Sequence, residues 1–283
     1  MNNTRILIAG GDMRQISCAL SLAERYQTGA VGFDSEHMPP GLIPAAGGDF
    51  DCAVLPVPPL NDKGDISAPC YSGRLTSFDI IPLLKPGALI LAGRIDDRLR
   101  QMFASYRLAD YMEREELLLS NAVPTAEGAV QIALEELPVT LNGAKVLIVG
   151  MGRIGTALTE ILKGFGAKIS VLVRNPSGAA KARLHGIEPV DAAGMGSSWD
   201  LVINTVPDMV FSREVLSGFS PETLFIDLAS KPGGIDFDSA AQLGIRTIWA
   251  LGLPGRTAPV TAGYMLADTV SFILHEEGGG RNA

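Results

Sequence analysis

The chain has 283 residues, of which 47% are hydrophobic and 19% are charged, and its net charge is −8. This length and composition predict a globular protein with two domains and a large buried core. The negative charge, without a basic cluster, argues against nucleic-acid binding, and no apolar run is long enough for a transmembrane helix. The start of the chain lacks the apolar segment of a secretory signal, so we expect a cytoplasmic protein that binds no membrane.

The first half of the chain predicts strands at residues 5–9, 51–56 and 85–92, with helix-like segments between them. The same order of segments recurs in the second half. Residues 145–152 resemble 5–11, residues 200–207 resemble 51–56, and residues 220–227 resemble 85–92. Buried strands that alternate with helices predict an α/β protein with two doubly wound, parallel-sheet (Rossmann-like) domains side by side.

We expect the domain boundary near residue 120. Residues 125–137 have helical spacing, and Thr125 is the predicted N-cap of that helix. The first domain would comprise residues 1–120, joined by a C-terminal helix within 261–283, and the second would comprise residues 121–260. Two chain crossings would then place a cleft between the domains, where a substrate would meet a bound nucleotide.

The clearest motif is Gly150-Met-Gly152-Arg-Ile-Gly155, which follows an apolar run and opens an amphipathic helix. In this strand–turn–helix context, Gly-x-Gly-x-x-Gly is typical of a dinucleotide-binding turn. The first glycine allows the turn, the second lets a pyrophosphate approach, and the third lets helix and strand pack closely. The residues predicted to hold the pyrophosphate are Gly150, Gly152, Arg153, Ile154 and Gly155.

The next predicted strand, residues 168–173, ends at Arg174. An NAD site usually has a carboxylate about 20 residues after the glycines, whereas an NADP site has a cation there. Arg174 would bind a 2′-phosphate, with Asn175 and Ser177 as further donors and with no competing carboxylate. The sequence therefore favours NADP, and NAD is the alternative cofactor. The alternative for Arg174 is that it is an exposed loop residue without a role in binding.

Three further loops follow predicted strands of the second sheet, at residues 204–207, 227–234 and 251–259. Thr205, Val206 and Pro207 are predicted to border the nicotinamide side of the cofactor. Lys231 and Arg256 are candidate cations for a carboxylate substrate, and the alternative is that each is an exposed loop charge. Cys18, Cys52 and Cys70 are odd in number and widely spaced, so we expect neither a disulfide framework nor a metal site.

Six short motifs, in this order along nearly the whole chain, resemble the family of dipicolinate synthase A subunits. They are Gly10-Gly-Asp12-Met-Arg14-Gln15, Asn121-x-x-Pro-Thr-x-Glu-Gly128, Gly150-x-Gly-Arg-x-Gly155, Ile203-Asn-Thr-Val-Pro207, Asp227-Leu-Ala-Ser-Lys-Pro-Gly-Gly-x-Asp-Phe237, and Gly252-Leu-Pro-Gly255 with Ala258-Pro-x-Thr-Ala-Gly263. A more distant resemblance, to D-2-hydroxyacid dehydrogenases, covers residues 121–127 and the glycine turn. The catalytic Arg, Glu and His of those dehydrogenases have no counterpart here, which argues against their chemistry.

The resemblance implies an enzyme that oxidises a dihydrodipicolinate-type cyclic dicarboxylate to dipicolinate, with NADP as the acceptor. It implies a cytoplasmic protein in the mother cell of a sporulating bacterium, which works with the flavoprotein-like B subunit of dipicolinate synthase. A homo-oligomer is also compatible with this resemblance. Two alternatives stay open: an NADP-dependent dehydrogenase of another small carboxylate, and a non-catalytic NADP-binding subunit that activates the B subunit.

Candidate substrate and catalytic residues follow from their places in the predicted turns, loops and helix starts and, for Ser72, from a loop that resembles the family's. Instead of binding substrate, Arg14 could pair with Asp12. Instead of taking a proton, Glu127 could have a structural role in the first turn of a helix. No general base stands out, and Arg256 is a weak match. The expected substrate-binding residues are Asp12, Arg14, Gln15, Ser72, Lys231 and Thr261. The expected catalytic residues are Lys231 and Glu127, whose carboxylate lies at the predicted helix start and could take a proton.

Overall fold

The computed structural model describes residues 2–38, 40–43, 45, 47–191, 195 and 198–279. The chain divides into two compact units. The described parts of Met1–Ser120 and Ala258–Ala283 form the first unit, and those of Asn121–Thr257 form the second. Residues 280–283, at the end of the predicted C-terminal segment, lie outside the described residues.

The first unit contains a parallel sheet whose strand order is β2-β1-β3-β4-β5. Its strands are β1 (Asn2–Ala9), β2 (Tyr26–Val31), β3 (Phe50–Val54), β4 (Leu84–Ala92) and β5 (Arg107–Asp110). Its helices are α1 (Met13–Ala23), α2 (Ser77–Ile80), α3 (Asp97–Met102) and α10 (Pro259–Gly279), and α4 (Glu115–Glu136) carries the chain into the second unit. Helix α10 packs against α1.

The second unit contains a parallel sheet in the order β11-β10-β9-β6-β7-β8, which is the strand order of dinucleotide-binding domains. Its strands are β6 (Lys145–Val149), β7 (Lys168–Leu172), β8 (Pro189–Val190), β9 (Leu201–Asn204), β10 (Leu224–Asp227) and β11 (Thr247–Trp249). Its remaining helices are α5 (Arg153–Gly164), α6 (Pro176–Leu184), α7 (Arg213–Leu216), α8 (Phe237–Gln242) and α9 (Leu253–Thr257).

Both sheets bury apolar side chains on both faces, as doubly wound sheets require. In β1, Ile6 and Ile8 pack in one apolar cluster while Leu7 and Ala9 pack in another. This alternation reflects the two-residue period of a strand. In the second unit, the apolar cluster on one face of the sheet includes three phenylalanines in edge-to-face contact, Phe211, Phe219 and Phe225. The prediction of two doubly wound α/β domains is confirmed.

The repeated order of segments corresponds to equivalent strands. The segments at 5–11 and 145–152 supply β1 and β6, those at 51–56 and 200–207 supply β3 and β9, and those at 85–92 and 220–227 supply β4 and β10. Each equivalent strand has the same place in its sheet, and β8 is an additional edge strand of the second unit.

The predicted helix start at Thr125 is wrong. Helix α4 runs without a break through this region, with Pro124 inside it. The Thr125 hydroxyl donates to the carbonyl of Asn121, one turn earlier, so Thr125 is not an N-cap. Burial of Ala126, Ala129 and Val130 in the core of the second unit offsets the cost of the internal proline.

In the described part of the chain, no helix is long and apolar enough to cross a membrane.

Candidate functional site

The glycine turn between β6 and α5 has the backbone geometry that a pyrophosphate site needs. Gly150 has a φ of +94°, and a Cβ there would lie 2.6 Å from the hydroxyl oxygen of Thr205. A Cβ on Gly155 would lie 2.1 Å from the carbonyl oxygen of Gly150, so α5 can approach the end of β6 only with glycine there. A Cβ on Gly152, the N-cap of α5, would meet nothing within 4 Å. The space above Gly152 is therefore open for a phosphate.

A cavity of about 330 Å³ lies beside this turn, at the carboxyl ends of β6 and β7. Arg153 is exposed in the first turn of α5, and Ile154 packs partly against the core. The cavity is lined by Val149, Gly150, Met151, Gly152, Leu172, Val173, Arg174, Asn175, Ser177, Gly178, Lys181, Val206 and Val210. The glycine turn and the residues predicted for the 2′-phosphate thus line one cavity, and this arrangement fits a dinucleotide.

Arg174 lines this cavity, but its guanidinium is paired. Its Nη2 atom lies 2.5 Å from Oδ2 of Asp208, and the two side chains are 67% and 60% exposed. The expectation that no carboxylate competes for Arg174 is therefore wrong. Asp208 lies in the loop after β9, 34 residues further along the chain, so a rule based on the residues around Arg174 could not find it.

The first turn of α6 supplies the other polar groups of the cavity. The side-chain oxygen of Asn175 caps α6 by accepting the N–H of Gly178 at 2.7 Å. Ser177 is exposed in the first turn, and Lys181 lies four residues later on the same helix. Sequence reasoning missed Lys181. The available signal was its spacing from Ser177, because residues four apart share a helix face.

The loop after β9 lies next to the glycine turn. The N–H and the hydroxyl of Thr205 both donate to the carbonyl of Val149, at 3.0 and 2.7 Å. Val206 lines the same cavity as Arg174, and Pro207 is exposed. Because Thr205 is fixed to the end of β6, the loop and the glycine turn are held together.

A buried polar pair at the ends of β9 and β10 supports these loops. Asp227 is fully buried and accepts hydrogen bonds from the Asn204 amide at 2.8 Å and from the N–H groups of Ala229 and Gly234. A buried carboxylate needs such donors. The pair closes the loop at residues 228–234, which presents Lys231 at the surface. Lys231 has no ion-pair partner among the residues that the structure describes.

In the first unit, the predicted substrate residues make local contacts. Asp12 caps α1, and the Arg14 guanidinium clamps both oxygens of Asp12 at 2.7 to 3.1 Å and donates to the carbonyl of Val57. Burial lowers and the Asp12 carboxylate raises the pKa of Arg14, with a net upward shift. Gln15 is buried, with its Oε1 atom unpaired. The alternative of an Asp12–Arg14 pair is thus the one observed.

Four further residues singled out from the sequence have the following positions. The Ser72 hydroxyl donates to Oδ1 of Asp34 at 3.0 Å, so its proton is already engaged. Glu127 is predicted at a helix start but lies exposed inside α4, which also rules out a role in the first turn of a helix. Thr261 and Arg256 are exposed in α10 and α9. The described residues contain no cluster of His, Cys, Asp and Glu that could hold a metal ion.

Two family models match successive parts of the chain. Residues 5–112 match the family model for the N-terminal domain of the dipicolinate synthase A subunit. Residues 122–230 match the model "D-isomer specific 2-hydroxyacid dehydrogenase, NAD binding domain". The dipicolinate synthase A subunit of Bacillus subtilis (strain 168) is 30% identical over 289 residues, which cover 98% of this chain and 97% of the relative.

The chain belongs to the family of dipicolinate synthase A subunits. The resemblance that six short motifs indicated is thereby confirmed. A crystal structure of this subunit from Bacillus halodurans matches with a TM-score of 0.87 and 32% identity, over 96% of this chain and 97% of that one. The corresponding structure from Bacillus subtilis also gives 0.87, with 29% identity over 99% and 98% of the two chains. The chain is an NAD(P)-dependent oxidoreductase.

Gly152→Ala should fold normally but bind the dinucleotide at least about tenfold more weakly, because the added methyl group occupies the space through which the pyrophosphate approaches. Calorimetric titration with NADP and NAD measures the affinity, and thermal unfolding measures the stability. Gly164→Ala is the matched control, because a Cβ there also meets nothing within 4 Å but lies at the far end of α5. Unchanged affinity in Gly152→Ala would contradict the assignment of this turn.

Proposed function

We propose that this protein oxidises a dihydrodipicolinate-type cyclic dicarboxylate to dipicolinate, pyridine-2,6-dicarboxylate, with NADP as the acceptor. The observation that carries the proposal is the 30% identity to the dipicolinate synthase A subunit of Bacillus subtilis over 98% of the chain. The dinucleotide cavity of the second unit supports a redox reaction. We further propose that the protein acts in the cytoplasm of the mother cell during sporulation, with the flavoprotein-like B subunit of the synthase.

The reaction removes two electrons and two hydrogens from the ring. One C–H bond breaks with its electron pair, and a proton leaves as the ring becomes aromatic. NADP supplies the hydride acceptor when it is bound. The gain of aromaticity provides driving force, so the protein chiefly has to hold the ring carbon in place, bind two carboxylates and let a proton leave. Water or a hydroxyl group can accept that proton without a dedicated base.

NADP rather than NAD is favoured by the cation at the end of β7. Arg174 lies on the cavity, and Ser177 lies in the adjacent turn. A 2′-phosphate carries up to two negative charges and offers a planar guanidinium bidentate bonds. We expect it to replace Asp208, whose pairing with Arg174 is exposed and therefore weak.

For the substrate, we propose that Lys231 binds one carboxylate and holds the ring in place for oxidation. Lys231 is exposed and lies beyond the carboxyl end of β10, where ligands of such sheets bind. Arg14 is already paired with Asp12, so its net attraction for an anion is reduced. Glu127 is not a catalytic residue in this proposal, because it lies inside α4 and not at a helix start.

The purified protein should reduce NADP when the cyclic dihydrodipicolinate precursor is generated enzymatically in the same mixture, and the absorbance of reduced nicotinamide measures this. The assay is run with and without the B subunit, and dependence on it would show that activity needs the partner. Turnover of a different small carboxylate instead would identify another dehydrogenase. Cofactor binding without any turnover would indicate a non-catalytic role. Either of these two results contradicts the proposal.

Arg174→Gln should raise the Kd for NADP by about tenfold or more and change the Kd for NAD by less than about twofold, because only NADP carries the 2′-phosphate. Calorimetric titration with each cofactor measures both values. An equal loss of affinity for the two cofactors would show that Arg174 does not bind the 2′-phosphate.

Lys231→Ala should raise the apparent KM for the dicarboxylate by about tenfold and leave the Kd for NADP unchanged. Lys168→Ala is the control. Lys168 is also exposed, but it is the first residue of β7 and so lies at the amino ends of the strands, away from the cavity. An unchanged KM in Lys231→Ala would remove this residue from the substrate site.

A further inference from the structure

Two cations, Arg174 and Lys181, line the nucleotide cavity, and Arg174 is paired with the carboxylate of Asp208. We propose that Lys181 is a second cation for the 2′-phosphate, and that Asp208 is a counter-charge which this phosphate must displace from Arg174. The two residues would then set the preference between NADP and NAD in opposite directions. This inference rests on the proposed function, because it assumes that the cavity takes NADP.

Lys181 lies where a second phosphate ligand would be needed. It is on α6, four residues after Ser177, and both side chains line the cavity that Arg174 also lines. Among the described residues, the Lys181 ammonium group has no hydrogen-bond or ion-pair partner. Arg183, two residues later on α6, is instead paired with Glu188 at 2.9 Å and does not line the cavity. Lys181 is therefore a charge on the cavity that the described residues leave unneutralised.

Asp208 acts on the phosphate through Arg174. With NAD, which has no 2′-phosphate, Arg174 can keep its pairing with Asp208. With NADP, the phosphate takes the guanidinium and is left close to an unpaired carboxylate of like charge. Exposed ion pairs contribute little free energy, so the phosphate can displace Asp208 from Arg174 at low cost. The repulsion between the phosphate and the freed Asp208 carboxylate nevertheless weakens the binding of NADP and not that of NAD. Lys181 offsets that repulsion, because it is a cation that can bind the phosphate without giving up a partner.

The test is calorimetric titration of the full-length protein with NADP and with NAD at low and at moderate salt. Lys181→Gln should raise the Kd for NADP about five- to tenfold, and Asp208→Asn should lower it about three- to tenfold. The Kd for NAD should change by less than about twofold in both variants, and the NADP effects should shrink with salt. Arg183→Gln is the matched control on the same helix and should leave both affinities unchanged.

The outcomes separate this inference from the proposed function. A wild-type protein that binds NAD and not NADP overturns the NADP assignment itself. A wild-type preference for NADP that Arg174→Gln abolishes, but that neither Lys181→Gln nor Asp208→Asn changes, overturns this inference alone. Equal weakening of NADP and NAD by Lys181→Gln would place Lys181 on a part of the cofactor that both share, and would also overturn it.

Discussion

The contact between Gly155 and the carbonyl of Gly150 is the constraint on which the candidate nucleotide site depends. A Cβ at position 155 would lie 2.1 Å from that oxygen, so any side chain would push α5 away from the end of β6. With glycine, the N-terminus of α5 and the open space above Gly152 lie directly beside the cavity. The positive end of the helix dipole is thereby available to a pyrophosphate.

The order of the strands explains why the cavity is at this place. Strand β6 is central, with β7 on one side and β9 on the other, so the chain leaves β6 and β9 towards opposite sides of the sheet. Ligands of doubly wound sheets bind at such a switch point. The loop after β9 is fixed by Thr205 to the end of β6, and the Asn204–Asp227 pair ties the ends of β9 and β10. One wall of the cavity is therefore held by a partly buried and a buried hydrogen bond, and not by loop packing alone.

The fold and the glycine turn could be predicted because their signals are local. Buried strands appear in the sequence as continuous apolar runs, and three nearby glycines indicate the geometry of the turn. The continuous helix α4 could not be predicted in the same way. Pro124 is a strong local signal for a break, and it is overridden by burial of Ala126 and Ala129, which depends on the whole second unit. The Arg174–Asp208 pair was missed for a related reason, since its partners are distant in sequence and meet only when the loops fold.

If the proposed roles of Lys181 and Asp208 hold, cofactor preference in this family member depends on the summed charge at the cavity and not on one residue at the end of β7. The usual sequence rule examines the position after the second strand and finds Arg174. The structure adds Lys181 from the following helix and Asp208 from a loop beyond another strand. A guanidinium that is partly neutralised by a carboxylate attracts a phosphate less than a free one, and a nearby ammonium group restores part of the attraction. Two proteins with the same residue at the end of β7 can thus prefer different cofactors, depending on the charges that folding brings to the same rim.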